Sequence, residues 1–279
     1  MGKTLVAAVQ FAAGTDVDTN LQTAAGLVAE AARLGAKLVV LPENLVLMGR
    51  QDTDKLQYAE ADGAGPIQDF LSRLAAERQV WLVGGTIPLQ AGPGKVYASC
   101  LVYDAQGGRA GRYDKIHLFD VDVPGSTEQY RESATIVPGD EPLVLDTPFG
   151  RLGVAICYDL RFPELFRQLA DAGVDILAVP AAFTAKTGAA HWELLLRARA
   201  VENLAYVVAS GQGGAHENGR ETYGNSMVVD PWGTVLARLG TEPGVAVAEI
   251  DLDSQRHKRE VFPALSHRRL DSARFPATV

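Results

Sequence analysis

The stretch Arg151–Phe166, R-L-G-V-A-I-C-Y-D-L-R-F-P-E-L-F, decides the fold that we predict for this chain. Its apolar run, residues 152–156, is typical of a buried strand and brings Cys157 to the point where the sequence turns polar. Pro163 then suits the first turn of a helix. This order predicts an α/β sheet with Cys157 at the carboxyl end of a strand, where open α/β sheets place their ligands. The cysteine is either a nucleophile or a small buried hydrophobic residue.

The composition predicts a soluble globular protein with a large core. Of 279 residues, 47% are hydrophobic and 22% charged, and the longest apolar runs are far shorter than the roughly 20 residues that span a bilayer. A formal net charge of −8 argues against nucleic acid and anionic membranes as partners. The two cysteines, Cys100 and Cys157, are too few for a disulfide framework or a zinc cluster. We therefore expect a cytoplasmic protein without a bound metal.

An internal similarity predicts how the sheets are arranged. Residues 32–43, A-R-L-G-A-K-L-V-V-L-P-E, match residues 170–181, A-D-A-G-V-D-I-L-A-V-P-A, in the order helix end, glycine, strand, proline. Each copy follows another strand, which favours two similar α/β halves and two mixed sheets packed face to face with helices outside. The alternative interpretation is that glycine, strand and proline in this order are common in α/β proteins and do not indicate a repeat. The first copy ends in Glu43, where the second has Ala181. A carboxylate at the end of a buried strand requires a structural or functional explanation.

Other segments are read from their turn and helix signals. Residues 80–88 and 96–104 predict two strands of a hairpin around the turn at 91–94. Residues 113–139 predict a long loop, and such a loop inside a compact enzyme is usually functional. A helix is predicted over residues 191–203.

A cysteine nucleophile requires a neighbouring base or a lowered pKa. His191 would give a papain-like pair, although the surroundings of Cys157 do not resemble that family. Glu43 is the carboxylate alternative, since parallel neighbouring strands would bring the two strand ends together. Lys115, at the head of the long loop, is a candidate for stabilising an oxyanion.

Three separately spaced motifs together resemble the nitrilase superfamily of carbon–nitrogen hydrolases, and the resemblance covers nearly the whole chain. They are L-P-E at 41–43, Y-D-K-I-H-L at 113–118 and G-V-A-I-C-Y-D-L-R-F-P-E at 153–164. Further segments resemble an amidase branch of that superfamily: residues 119–125, 187–193, 197–202 and 223–233. The resemblance implies a four-layer αββα sandwich of two mixed sheets with outer helices, as a single domain over residues 1–279.

The resemblance also implies catalytic roles. Cys157 is expected to be the nucleophile, Glu43 the general base and Lys115 the group that stabilises the tetrahedral intermediate. The backbone N–H of Tyr158 is expected to join Lys115 at the oxyanion. No cofactor is implied.

A second glutamate is expected between the lysine and the cysteine, hydrogen-bonded to the lysine and to the substrate. Glu132 is our choice. Glu128 in the same loop is the alternative, because residues 127–132 include no glycine or proline that would fix which glutamate faces the lysine.

Substrate-binding residues are predicted around the cysteine. Arg161, one helical turn past Cys157, is the expected partner of a substrate carboxylate, with a structural ion pair to Asp159 or Glu164 as the alternative. The residues expected to line the pocket beside it are Phe183 and Thr187.

The implied substrate is the amide of a small 2-oxo acid. Our first expectation is hydrolysis of deaminated glutathione to 2-oxoglutarate and cysteinylglycine through a thioester. The alternatives are an ω-amidase acting on 2-oxoglutaramate or 2-oxosuccinamate, or a non-catalytic dimeric scaffold of the same fold. A homodimer is also implied, with residues 254–279 forming a C-terminal helix and a tail that crosses to the partner.

Overall fold

Strand β1 (Lys3–Gln10) shows how the layers form in the computed structural model of the chain, which describes residues 2–125 and 128–270. Val6 and Ala8 pack among the strands of a second sheet, whereas Ala7 and Val9 pack with helices. Successive side chains of a strand point to opposite faces, so one strand serves both layers. Because both faces are buried, the strand is apolar throughout rather than alternating.

The strands form two mixed sheets. The first contains β1, β2 (Leu38–Val40), β3 (Trp81–Val83), β4 (Ile87–Gln90), β5 (Val96–Tyr103), β6 (Arg109–Asp114) and β17 (Gly244–Asp251). Its order is β17-β1-β2-β3-β5-β4, and β6 also pairs with β5. The second contains β9 (Leu143–Thr147), β10 (Gly150–Val154), β11 (Ile176–Ala181), β12 (Tyr206–Gly211), β15 (Met227–Val229) and β16 (Val235–Arg238), in the order β16-β15-β12-β11-β10-β9.

Two short antiparallel pairs lie outside these sheets. They are β7 (Asp120–Asp122) with β8 (Gln129–Arg131), and β13 (Gly213–Ala215) with β14 (Glu221–Tyr223).

Helices cover the outer face of each sheet. The helices are α1 (Val17–Arg33) and α2 (Pro66–Arg78) on the first sheet, α3 (Pro163–Asp171) and α4 (Ala185–Asn203) on the second, and α5 (Leu252–Val261) near the end. Short 3₁₀ helices span Asp54–Tyr58, Glu132–Ala134 and Cys157–Arg161. The expected four-layer α/β sandwich of two mixed sheets with outer helices is confirmed.

Three predicted segments differ from the structure. Residues 80–88, predicted as one strand, divide into β3 and β4, because Gly85 has a φ of +63° and breaks the run. The predicted loop at 113–139 contains β7 and β8. Helix α4 begins at Ala185 rather than at residue 191, since the Thr184 hydroxyl accepts a hydrogen bond from the Thr187 N–H at 3.2 Å and caps the helix earlier.

The two halves suggested by the internal similarity are present. Strand β1 pairs with β2 in parallel, and β10 pairs with β11 in parallel. However, Glu43 follows β2 in the first sheet, and Cys157 follows β10 in the second. The prediction that neighbouring strands of one sheet bring them together is therefore wrong. They meet because the two sheets pack face to face.

The C-terminal segment lies against the second half of the chain. Helix α5 begins at Leu252, and the Gln255 side chain donates hydrogen bonds to the carbonyls of Asp175 and Leu204. Residues 271–279 of the expected dimer-crossing tail lie outside the described residues, so that tail and the homodimer stay predictions. Across residues 2–125 and 128–270, no helix has both the length and the apolar character needed to cross a membrane.

Packing between α4 and β14 generates a test of the fold. A Cβ atom at Gly188 would lie 2.2 Å from the Cβ of Tyr223. We expect Gly188→Ala to lower the free energy of unfolding by about 1–3 kcal/mol, as overpacking does. The matched control is Gly26→Ala in α1, where a Cβ meets no atom within 4 Å, and it should raise that free energy by about 0.5–1 kcal/mol. Urea denaturation measures both, and equal effects would contradict the packing.

Candidate active site

Cys157 lies at a strained turn between β10 and the following 3₁₀ helix. Its φ is +47°, in the left-handed region that residues other than glycine rarely adopt. The fully buried carboxylate of Asp159 holds this turn, because it accepts hydrogen bonds from the N–H of Ile156 at 2.9 Å and the hydroxyl of Tyr113 at 2.7 Å. It also accepts from the N–H of His117 at 2.9 Å. One buried carboxylate therefore ties the cysteine turn to the segment that carries Lys115.

The ammonium group of Lys115 is buried between two carboxylates. Its Nζ donates to Glu43 Oε1 at 2.7 Å and to both carboxylate oxygens of Glu132 at 2.8 Å, and its side chain is 1% exposed. Burial alone would lower the pKa of Lys115, but Glu132 and Glu43 outweigh it and hold that pKa well above its usual value. The lysine is therefore a fixed cation at the base of the site.

Cys157 lies beside Glu43, and both residues line the same cleft. The Glu43 carboxylate and the backbone N–H of Ala182 both lie close enough to the sulfur to influence the thiol pKa. Burial raises the pKa of the Cys157 thiol well above its usual value, and Glu43 raises it further against the opposing charge of Lys115. Burial likewise raises the pKa of Glu43. The Cys157 thiol is therefore neutral at rest, with the Glu43 carboxylate beside it.

The structure brings Glu132, not Glu128, to the lysine. In addition to Lys115, Glu132 binds the backbone N–H of Phe119 at 2.7 Å. The Glu128 carboxylate instead accepts a hydrogen bond from the hydroxyl of Tyr130 at 2.9 Å.

A cleft that is open to solvent lies above Cys157 and has a cavity volume of about 80 Å³. It is lined by all the residues that the sequence assigns to the site, including the predicted substrate-binding residues Arg161, Phe183 and Thr187. Tyr158 lies in the first turn of the 3₁₀ helix, where helical N–H groups lack acceptors within the helix. Its backbone N–H is therefore free of the helix at the point where an oxyanion is expected.

Arg161 lies on aromatic faces rather than beside a carboxylate. Its guanidinium carbon is 5.7 Å from the Tyr158 ring centre and 5.3 Å from that of Phe183, and its NH1 lies 3.2 Å from His191 Nδ1. In the part of the chain that the structure describes, Arg161 forms no ion pair, and Asp159 is occupied elsewhere. Because the ring of His191 lies beside Arg161, His191 does not form the papain-like pair with Cys157.

Sequence reasoning missed other residues of the cleft. Lys55, Arg220 and Tyr130 also line it. Lys55 comes from a short 3₁₀ helix without an apolar repeat, and Arg220 lies in the turn of the β13–β14 hairpin. For Arg220, the one signal in the sequence is its position just before the motif at 223–233.

The comparisons with known proteins identify the family and the fold. A sequence model of the carbon–nitrogen hydrolase family matches residues 5–260. A deaminated glutathione amidase of Synechocystis sp. is 45% identical over 269 residues, 95% of this chain and 97% of the relative. The crystal structure of Saccharomyces cerevisiae Nit3, a member of branch 10 of the nitrilase superfamily, superposes with a TM-score of 0.84 and 34% identity over 98% of this chain and 97% of that one.

A third relative is the amidase of Nesterenkonia sp. AN1, in a structure that shows Michael addition of acrylamide at the active-site cysteine. It has a TM-score of 0.77 and 28% identity over 93% of this chain and 98% of that chain.

The fold and the family match define a hydrolase that acts on carbon–nitrogen bonds other than peptide bonds. The chain belongs to the carbon–nitrogen hydrolase family, the nitrilase superfamily, and it is an amidase of that superfamily. The resemblance noted in the sequence is thereby confirmed.

The different surroundings of the two cysteines generate a test. Cys157 is 7% exposed and lines the cleft, whereas Cys100 is 0% exposed in the core. We expect iodoacetamide to add one label per chain to the native protein, at Cys157, as read by intact mass and peptide mapping. Cys157→Ser should abolish that label. A label on Cys100 under native conditions would contradict the burial described here.

Proposed function

We propose that this protein is a cysteine-dependent amidase that hydrolyses deaminated glutathione to 2-oxoglutarate and cysteinylglycine. The observation that carries the proposal is the grouping of Cys157, Glu43 and Lys115 in one open cleft, with the Lys115 ammonium bound to Glu43 at 2.7 Å. The 45% identity to a relative named deaminated glutathione amidase supports the choice of substrate. The filled catalytic positions argue against a non-catalytic scaffold.

In the first half of the reaction, Glu43 accepts the thiol proton as the Cys157 sulfur attacks the amide carbonyl carbon. The carbonyl oxygen becomes an oxyanion beside the Lys115 ammonium and the Tyr158 N–H. When the tetrahedral intermediate collapses, the C–N bond breaks, and protonated Glu43 gives its proton to the leaving amine. A thioester remains on Cys157.

In the second half, Glu43 is again a carboxylate and accepts a proton from water. The resulting hydroxide attacks the thioester carbonyl, and the same oxyanion site receives the charge. The C–S bond then breaks, the acid is released and Cys157 regains its proton from Glu43. One carboxylate thus serves both steps, which agrees with its position beside the thiol and with its raised pKa.

Arg161 is the residue that suits the carboxylate of the 2-oxo acid. Its guanidinium is positioned by two aromatic rings and has no competing carboxylate among the described residues. A guanidinium binds a carboxylate through two parallel hydrogen bonds, which also orients the acyl chain. The acyl group is shared with 2-oxoglutaramate, so Arg161 does not by itself separate the two substrates.

Direct comparison of substrates tests the proposal. Deaminated glutathione should be hydrolysed with a kcat/KM at least about 10-fold above that for 2-oxoglutaramate, a difference of about 1.4 kcal/mol in transition-state binding. Release of 2-oxoglutarate, measured with a coupled dehydrogenase, gives both values, and Cys157→Ala is the inactive control. Faster turnover of 2-oxoglutaramate would favour an ω-amidase, and full activity of Cys157→Ala would end the catalytic assignment.

The two glutamates of the 128–132 loop form a matched pair for testing the lysine site. Glu132→Gln removes one of the two charges that position Lys115 and should lower kcat by about 100-fold with a smaller effect on KM. Glu128→Gln changes a side chain that hydrogen-bonds Tyr130 and does not bind Lys115, and it should change kcat less than about 3-fold. Steady-state kinetics on deaminated glutathione decides between them. Equal losses in the two variants would show that Glu132 has no special role.

A further inference from the structure

A row of three aromatic rings along the cleft separates two arginines. The ring centres of Tyr158 and Phe119 are 5.0 Å apart, and those of Phe119 and Tyr130 are 5.1 Å apart. The guanidinium of Arg161 lies over the Tyr158 ring at 5.7 Å, and that of Arg220 lies over the Tyr130 ring at 5.2 Å. The two cations therefore stand at opposite ends of this row, and Cys157 is next to the Arg161 end.

A lysine lines the same cleft and lies within electrostatic range of Glu132, Asp52 and Arg220. Lys55 is a half-buried side chain, and within the described part of the chain it makes neither a hydrogen bond nor an ion pair. Burial lowers the pKa of Lys55, and the carboxylates of Glu132 and Asp52 only partly oppose this. An ammonium group that is partly removed from water without a partner is stabilised by a bound anion.

Arg220 retains hydrogen-bond donors for a ligand. Its NH2 lies 3.1 Å from Asp52 Oδ1 in a pair that is partly exposed on both sides, and such pairs are weak. A guanidinium has five N–H donors in a planar fork, so one bond to Asp52 leaves the others available. Arg220 and Lys55 can thus bind a carboxylate away from Arg161, which contacts the ring at the other end of the aromatic row.

We propose that Arg220 and Lys55 form a second carboxylate subsite, which binds the leaving group of the substrate. The preferred substrate class is then an amide with a carboxylate on both sides of the scissile bond. This inference rests on the proposed function, in which Arg161 binds the acyl carboxylate. Deaminated glutathione has both carboxylates, the second on its glycine, whereas 2-oxoglutaramate releases ammonia and would leave the subsite empty.

The test uses two substrates that differ only in the proposed contact. They are deaminated glutathione and its carboxamide, in which the glycine carboxylate is replaced by an uncharged amide. The wild-type enzyme should hydrolyse the carboxamide with a kcat/KM about 10-fold lower, mainly through KM, because a charge-assisted hydrogen bond is lost. This comparison needs no variant and is independent of any folding defect.

The variants Arg220→Gln and Lys55→Met then assign the effect to residues. Each should lower kcat/KM for deaminated glutathione by about 10-fold and for the carboxamide by less than about 3-fold. The control is Arg151→Gln, which removes another exposed arginine paired with an aspartate, Asp146 at 3.0 Å, from the end of β10 opposite to Cys157. It should affect both substrates equally and little.

The outcomes separate the two hypotheses. A wild-type enzyme that hydrolyses both substrates equally well would overturn the second subsite and leave the proposed function standing. Equal losses on both substrates in the Arg220 and Lys55 variants would also overturn it. If the wild-type enzyme hydrolyses neither substrate but does hydrolyse 2-oxoglutaramate, the proposed function is wrong. The inference of a second subsite is then wrong as well, because it rests on that function.

Discussion

The buried ammonium group of Lys115 is the constraint on which the site depends. Taking a charge out of water costs several kcal/mol, so it is tolerated only where opposite charges are fixed beside it. Here those charges come from different parts of the chain: Glu43 follows β2, Glu132 follows β8, and Lys115 follows β6. The lysine therefore joins three loops at one edge of the sandwich. Removing a single partner of such a network typically costs about 3–5 kcal/mol.

The same burial bears on the chemistry proposed for Cys157. Burial and the nearby Glu43 both raise the pKa of the Cys157 thiol, so the thiol is neutral at rest. In the proposed mechanism, the proton therefore leaves to Glu43 as the sulfur attacks. The left-handed backbone at Cys157 and the buried Asp159 fix the turn that carries the thiol. Backbone strain at this one residue is maintained by the surrounding structure.

Much of this arrangement can be predicted from the sequence, because the residues of the site stand at strand ends or in motifs that are recognisable locally. The apolar run into Cys157, the strand end at Glu43 and the motif around Lys115 are each continuous in sequence. The sequence does not show which strands become neighbours, and Glu43 and Cys157 proved to lie in different sheets. Lys55 and Arg220 were missed for a related reason. They lie in short irregular segments, where neither periodicity nor turn chemistry indicates which way a side chain faces.

The charge of the whole protein makes the local cations of the cleft more important. A formal net charge of −8 repels an anionic substrate at long range, although salt screens that repulsion beyond about 10 Å. Cations held in a partly desolvated cleft act at short range, where screening is weak. Lys115 is already neutralised by two carboxylates, so it contributes little attraction for a substrate. In the proposed function, attraction for an anionic substrate therefore comes from Arg161, and the proposed second subsite adds Arg220 and Lys55. Because Arg161 and Arg220 contact rings at opposite ends of the aromatic row, the proposal favours a substrate with a charge at each end.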